Sequence, residues 1–283
     1  MFAKTANFAK IRHMKIETIT LAVFMMLILA PQLGGAADFE KGLEAAQKGD
    51  YLRALREWEP LAEEGLAIAQ SNLGLMYRLG QGVEKNIITA IKWYTLAGEQ
   101  GYAEAQSSLG LMYLNGEGVL RDFKKALKWY TLAAEQGDAD AQYNVGTIYD
   151  EGLGVDQNYA IAAEWYRLSA EQGIAFSQYN LGLMYNRGQG VARDDREAVK
   201  WYRLAAEQGF ASAQTNLGIM YAFGYGVEKS YVDAYMWGGL GASNGSFNGG
   251  KLRDDFARRM SATEVKEAKR RARECVKKNY KGC

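Results

Sequence analysis

The chain has 283 residues, 48% of them hydrophobic and 24% charged, with a formal net charge of +1. Those proportions suit a soluble globular protein of one or two domains. Its 32 glycines sit among Leu, Ala, Trp and Tyr with only two prolines, so they read as helix stops and not as disorder.

Residues 1–37 read as an export signal. Lys4, Lys10, Arg12 and Lys15 precede an uncharged run from Ile19 to Ala30, and Gly34, Gly35, Ala36 and Ala37 form a small-residue exit. A run of this length spans about 18 Å as a helix, short of a ~30 Å bilayer core. Cleavage near Ala37 is therefore expected in preference to a retained anchor, with Met14 as an alternative start. The location expected is periplasmic or secreted. His13 is the sole histidine. Its removal would leave a mature chain without the usual general base and metal ligand.

Residues 38–66 pattern as an N-terminal capping hairpin, Phe39 to Gly65, with Pro60 expected to kink its end. Five units then fill residues 67–245, because Trp93, Trp129, Trp165, Trp201 and Trp237 recur every 36 residues. Gly74, Gly110, Gly146, Gly182 and Gly218 keep the same spacing, as do Tyr77, Tyr113, Tyr149, Tyr185 and Tyr221. Each unit reads as helix, loop, helix. In the second, Ala105, Leu109, Met112 and Tyr113 share one helical face. Gly116 stops that helix, and Val119 of the loop that follows is expected to plug into the core. Asp122 caps the next helix, and Asn86, Asn158, Asp194 and Ser230 are the equivalent caps elsewhere. The Trp and Tyr columns are expected in the core. The mid-helix glycines, each costing roughly 1 kcal/mol against alanine, should let an aromatic ring of the neighbouring helix lie over bare backbone.

The intact unit Ala105 to Gly137, opening Ala-Gln-x-x-Leu-Gly and closing Ala-Ala-Glu-Gln-Gly, resembles the Sel-1-like repeat family, relatives of tetratricopeptide repeats. The resemblance covers residues 39–245. The fold class expected is all-α, a solenoid of helix-loop-helix repeats with terminal caps. The family implies an α/α superhelix serving as adaptor or scaffold, often in exported bacterial proteins. A cysteine-rich branch of it is associated with penicillin binding and β-lactamase-like hydrolysis. That branch carries a cysteine pair in its repeats, whereas residues 38–274 here contain no cysteine.

Residues 246–283 form the C-terminal cap. Leu252, Phe256 and Met260 make one helical stripe. Ser261 with Glu264 gives a capping-box signature for a last helix carrying Val265, Ala268, Ala272 and Val276. Cys275 and Cys283 are expected to form a disulfide in an exported chain. Two thiolates alone fall short of a zinc site. Charge is divided: residues 38–245 hold 18 basic and 27 acidic side chains, residues 246–283 hold 12 and 5. The basic last helix, with Lys269, Arg270, Arg271 and Arg273, is either a solvated cap face or a weak contact for anionic lipid or an acidic partner.

No phosphate-binding loop or nucleophile–histidine arrangement is legible, since the G-x-G elements join helix to helix without a strand. Asp194 and Asp195 are adjacent carboxylates, Asp194 better explained as a cap. No catalytic residue, metal, cofactor or nucleic-acid partner is expected, and the leading function is a non-catalytic scaffold for a protein or peptide. A cell-wall or membrane-associated structural scaffold is a further alternative. By analogy with tetratricopeptide repeats, the first helix of each unit lines a concave groove. There the fifth position reads Ser71, Ser107, Tyr143, Tyr179 and Thr215, and the sixth Asn72, Ser108, Asn144, Asn180 and Asn216. Asparagine is a poor mid-helix residue. Asn72, Asn144, Asn180 and Asn216 therefore either contact a bound peptide backbone, with Tyr143 and Tyr179 beside them, or bridge adjacent repeats.

Overall fold

The structure, a computed structural model, describes residues 37–283. The export signal read over residues 1–37, with His13 and Met14, therefore lies outside the described residues except for Ala37. Fourteen helices and no strand occur among the described residues, an all-α repeat solenoid. They divide into two compact units, Met1–Ala105 and Gln106–Cys283.

The first unit holds α1 (Phe39–Gln47), α2 (Tyr51–Glu63), α3 (Ala67–Leu79) and α4 (Ile87–Glu99). Helix α5 (Ala103–Asn115) begins at its end. The second unit continues with α6 (Phe123–Glu135), α7 (Ala139–Glu151), α8 (Tyr159–Glu171), α9 (Ala175–Arg187) and α10 (Asp195–Ala206). Helices α11 (Ala211–Phe223) and α12 (Tyr231–Ser243) close its repeats, and α13 (Gly249–Ala257) and α14 (Ala262–Lys277) follow as the cap.

Helix boundaries follow the side chains. Asn86, Asp122, Asn158, Asp194 and Ser230 each accept a hydrogen bond from a backbone N–H in the first turn that follows, at 2.9–3.2 Å. Such a cap contributes about 1 kcal/mol. Helix α9 ends at Gly188, whose φ of 67° is the left-handed conformation that a side chain resists. Two residues on, Gly190 lies against the Tyr159 carbonyl at the start of α8, where a Cβ would collide.

The mid-helix glycines pack as the sequence implied. A Cβ on Gly146 would stand 2.7 Å from the Tyr166 ring, and one on Gly182 2.7 Å from Tyr202. Tyr94 covers Gly74 in the first unit in the same way, and Trp58 of the capping hairpin covers Gly42. The buried aromatic column is thus Tyr94, Tyr130, Tyr166 and Tyr202. Tyr77, Tyr113, Tyr149, Tyr185 and Tyr221, expected in the core, are only half-buried. Trp165, Trp201 and Trp237 are buried, but Trp93 and Trp129 are not fully so. The residue one step after each tryptophan points more directly between the helices, which is why the ranking reverses. In the last repeat that residue is Gly238, and α13 approaches its backbone through Gly249.

Glutamines tie successive repeats together. Gln178 is buried and donates from Nε2 to the Ala170 carbonyl at 3.1 Å, while Gln208 donates to its Oε1 at 2.8 Å. Gln142 repeats this with Ala134 and Gln172, and Gln214 with Ala206 and Asn244. In the first unit Gln70 bonds Ala62 and accepts from Gln100. Each glutamine satisfies the end of the preceding helix, where a buried carbonyl lacks an intrahelical donor.

At the hairpin, α2 runs through Pro60 to Glu63. At the other end Ser261 and Glu264 form the capping box. Ala268 is buried, whereas Val276 is exposed and Cys275 takes the inward position beside it. Cys275 and Cys283 are joined as a disulfide. The closed tail docks on the second unit: Tyr280 packs against Gly209 and donates to Asn244 Oδ1 at 3.1 Å.

Candidate functional site

The first helices of the last three repeats, α7, α9 and α11, carry the predicted groove residues of the second unit. Tyr143 and Tyr179 are both half-buried. Each leans on the buried tyrosine of its own repeat, Tyr143 on Tyr166 and Tyr179 on Tyr202, with ring centroids 5.9 Å apart in both pairs. The structure adds two aromatics between them. Tyr143 lies 5.9 Å from Phe176, Phe176 4.9 Å from Phe210, and Phe210 5.1 Å from Tyr179. Phe176 is 55% exposed and sits at the centre of this row. Edge and tilted contacts of this kind are worth about 0.5–1.5 kcal/mol each beyond area burial. They hold the rings in place, with Phe176 exposed and Tyr143, Tyr179 and Phe210 half-buried.

Phe176 and Phe210 lie outside the repeat positions that the sequence singles out for the groove. The second position reads Ile68, Glu104, Asp140, Phe176 and Ser212, and the last reads Leu66, Tyr102, Asp138, Ile174 and Phe210. A large aromatic stands out in both columns, one residue before and one after a helix start.

The asparagines do not share one environment. Asn144 donates from Nδ2 to the Asp140 carbonyl of its own helix at 2.9 Å. Asn180 stands near the Tyr166 hydroxyl of the preceding repeat, and Asn216 near the Tyr202 hydroxyl, each favouring the ionised phenol against the larger opposing effect of burial. Asn72 is half-buried in α3 of the first unit. Asn180 and Asn216 therefore lie close to the preceding repeat, whereas Asn144 bonds within its own helix. All four are half-buried, so part of each side chain still faces solvent.

A polar cluster surrounds the Tyr166 hydroxyl. It donates to Asp150 Oδ2 at 3.2 Å and lies 3.2 Å from Thr147 Oγ1. Burial pushes the Tyr166 and Tyr202 hydroxyls well above the ordinary tyrosine range. Burial also raises Asp150, against the opposing effects of the Tyr166 hydrogen bond and the Arg187 charge. The cluster is an interhelical tie with one carboxylate at its edge.

The adjacent carboxylates Asp194 and Asp195 are both engaged. Asp194 caps α10, and Asp195 pairs with Arg193 at 2.9 Å and accepts from Asn186 at 3.0 Å. Among the described residues no group of three or more His, Cys, Asp or Glu side chains could hold a metal ion. No helix among them is long and apolar enough to cross a membrane.

Five consecutive stretches match the Sel1 repeat: residues 67–102, 103–138, 139–174, 175–210 and 211–246. Among solved structures the chain is similar to a protective antigen of uropathogenic Escherichia coli that displays an SLR fold. Identity is 33% and the TM-score 0.76, over 86% of this chain and 55% of that one. It is also similar to a Sel1 repeat protein from Oxalobacter formigenes, at 36% identity and a TM-score of 0.72, over 76% of this chain and 88% of the other. The chain thus spans little more than half the length of the E. coli antigen. No curated protein matches it.

Proposed function

The chain belongs to the Sel1 repeat family, and from that premise we propose that it is a non-catalytic scaffold of the cell envelope that holds a protein or peptide partner. The Sel1 repeat fold in general serves protein interaction. The observation that carries the reading is the row Tyr143, Phe176, Phe210 and Tyr179, fixed by mutual ring contacts and exposed at Phe176. Rigid aromatics of this kind provide contact area at low conformational cost, as binding hot spots do. Asn144, Asn180 and Asn216 lie on the same helices and supply amides beside the rings.

Affinity capture from the native envelope fraction tests the reading. A defined partner retained by the wild type and lost with Tyr143→Ala/Phe176→Ala supports it. Capture indifferent to that change sinks the assignment of the face. An envelope location is supported by the residue pattern of 1–37 and by the Cys275–Cys283 bond, which suits an oxidising compartment. Amino-terminal sequencing of the protein from the envelope fraction should read from close to Asp38. An intact Met1 or Met14 start in the cytosol would reject export.

A further inference from the structure

The last helix carries a dense run of cations, and the structure separates them into two sets. Arg270 pairs with Glu267 and Glu274 at 2.7 and 2.5 Å. Arg271 pairs with Glu267 at 2.9 Å and with Asp233 of α12 at 3.0 Å. Hydrogen bonds from both arginines hold the Glu267 carboxyl down at about 2. Arg271 fastens the cap to the last repeat, while Arg270 is neutralised within α14 itself. Lys269, Arg273 and Lys277 are different: each is exposed, and none has an ion-pair partner among the described residues. They stand four residues apart, so they form one row along α14 at intervals of about 6 Å.

That row borders a cleft of about 570 Å³ between α12 and α14. Its floor is apolar, with Tyr235, Met236 and Leu240 from α12 and Ala272 from α14. Val276, 49% exposed, forms part of its wall, and Arg253 of α13 faces it as well, paired only with its exposed neighbour Asp254. The residues that line it recur every three or four positions on both helices. The cleft is therefore a trough about two helical turns long, apolar below and cationic along one edge.

We propose that this trough docks an amphipathic acidic helix from a protein partner. Such a helix has the same rise per residue as α14, so carboxylates at every fourth position meet Lys269, Arg273 and Lys277 in register, as edge charges do between paired helices. Its apolar stripe then lies against Leu240, Ala272 and Val276. An extended segment or a diffuse polyanion has no such match to both the spacing and the floor. The site is distinct from the aromatic row on α7, α9 and α11.

The test uses the exported chain and a synthetic helical peptide of about four turns, with Glu at every fourth position beside a Leu/Ala stripe, followed by fluorescence anisotropy. The expected result is saturable binding that weakens with salt and falls at least about tenfold in Lys269→Glu/Arg273→Glu/Lys277→Glu. Lys266→Glu, on the same helix but outside the trough, should change it less than about twofold. A peptide with Lys in place of Glu should bind the triple variant better than the wild type, which separates lost pairing from lost folding. Equal affinity for a peptide with its glutamates scattered round the helix would overturn the proposal. So would an absence of peptide binding combined with association to phosphatidylglycerol vesicles that the same triple change abolishes, which would make this a lipid-facing surface.

Discussion

Replacing Gly146 by alanine should destabilise the protein, against the ordinary preference of helices. Alanine in a helix interior is favoured over glycine by about 1 kcal/mol. At this position, however, the added methyl would stand 2.7 and 2.8 Å from two ring carbons of Tyr166, well inside the ~3.5–4.0 Å of an ordinary carbon contact. The ring cannot withdraw easily, because Tyr166 is almost fully enclosed and its hydroxyl is held by Asp150 and Thr147. Overpacking of this kind costs about 1–3 kcal/mol, which leaves a net loss of up to about 2 kcal/mol after the helix preference is subtracted. Urea unfolding followed by circular dichroism measures it. The sign should reverse in a Tyr166→Leu background, where the ring is gone and only the helix preference remains. A stabilised Gly146→Ala in the wild-type background would refute the idea that the tyrosine holds this column to glycine.

Gln178→Ala should cost about 2–3 kcal/mol in the same assay, since it removes two hydrogen bonds and leaves the buried Ala170 carbonyl without its donor; a loss under about 0.5 kcal/mol would mean that the glutamine ladder contributes little. Asp150 carries a raised folded-state pKa through burial, so ionising it opposes folding, and its stabilising balance is lost as pH rises through that value. Asp150→Asn should therefore match the wild type below about pH 4 and gain in melting temperature as pH rises to neutrality; a gain confined to acid pH, or a loss at neutrality, would contradict the sign.

Much of the fold was legible because the repeat converts local rules into a pattern seen five times. Five cap residues at one column fixed the start of each second helix, and glycine after each first helix fixed its end. Side-chain direction was harder to read. The Trp-Tyr pair offers two aromatics in adjacent positions, and which one lies between helices depends on rotation by a hundred degrees about an axis that spacing does not set. The sequence turns both Trp129 and Tyr130 towards the partner helix, and of such pairs Tyr94 and Tyr130 fill the core while Trp93 and Trp129 stay partly exposed. The glutamine ladder was visible as the recurring Gln of Ala-Gln and Glu-Gln-Gly but carried no meaning until Gln178 and Gln208 met across a separation of 30 residues.

The candidate site was only partly legible for the same reason. Asn180 and Asn216 share a column and stand near the tyrosine of the preceding repeat, a proximity between units that no single repeat displays. Tyr143 and Tyr179 were recognisable as the large residues of a small-residue column. Phe176 and Phe210 stand in columns of mixed chemistry, and only the ring-to-ring distances join them to the tyrosines. On α14, four neighbouring cations looked alike in sequence, and the acidic partners Glu267, Glu274 and Asp233 are what separate Arg270 and Arg271 from Lys269 and Arg273.

Binding of peptide along the aromatic row can be titrated. Peptides selected from a displayed random library on the immobilised protein would be titrated against the wild type and against Phe176→Ala/Tyr179→Ala, with thermal melts of both. The account predicts a shared apolar motif among the selected peptides and a loss of about 2–4 kcal/mol in binding in the variant, while its melting temperature falls by no more than a few degrees. Peptides that bind wild type and variant equally, or a variant whose affinity falls only because it has unfolded, would contradict it.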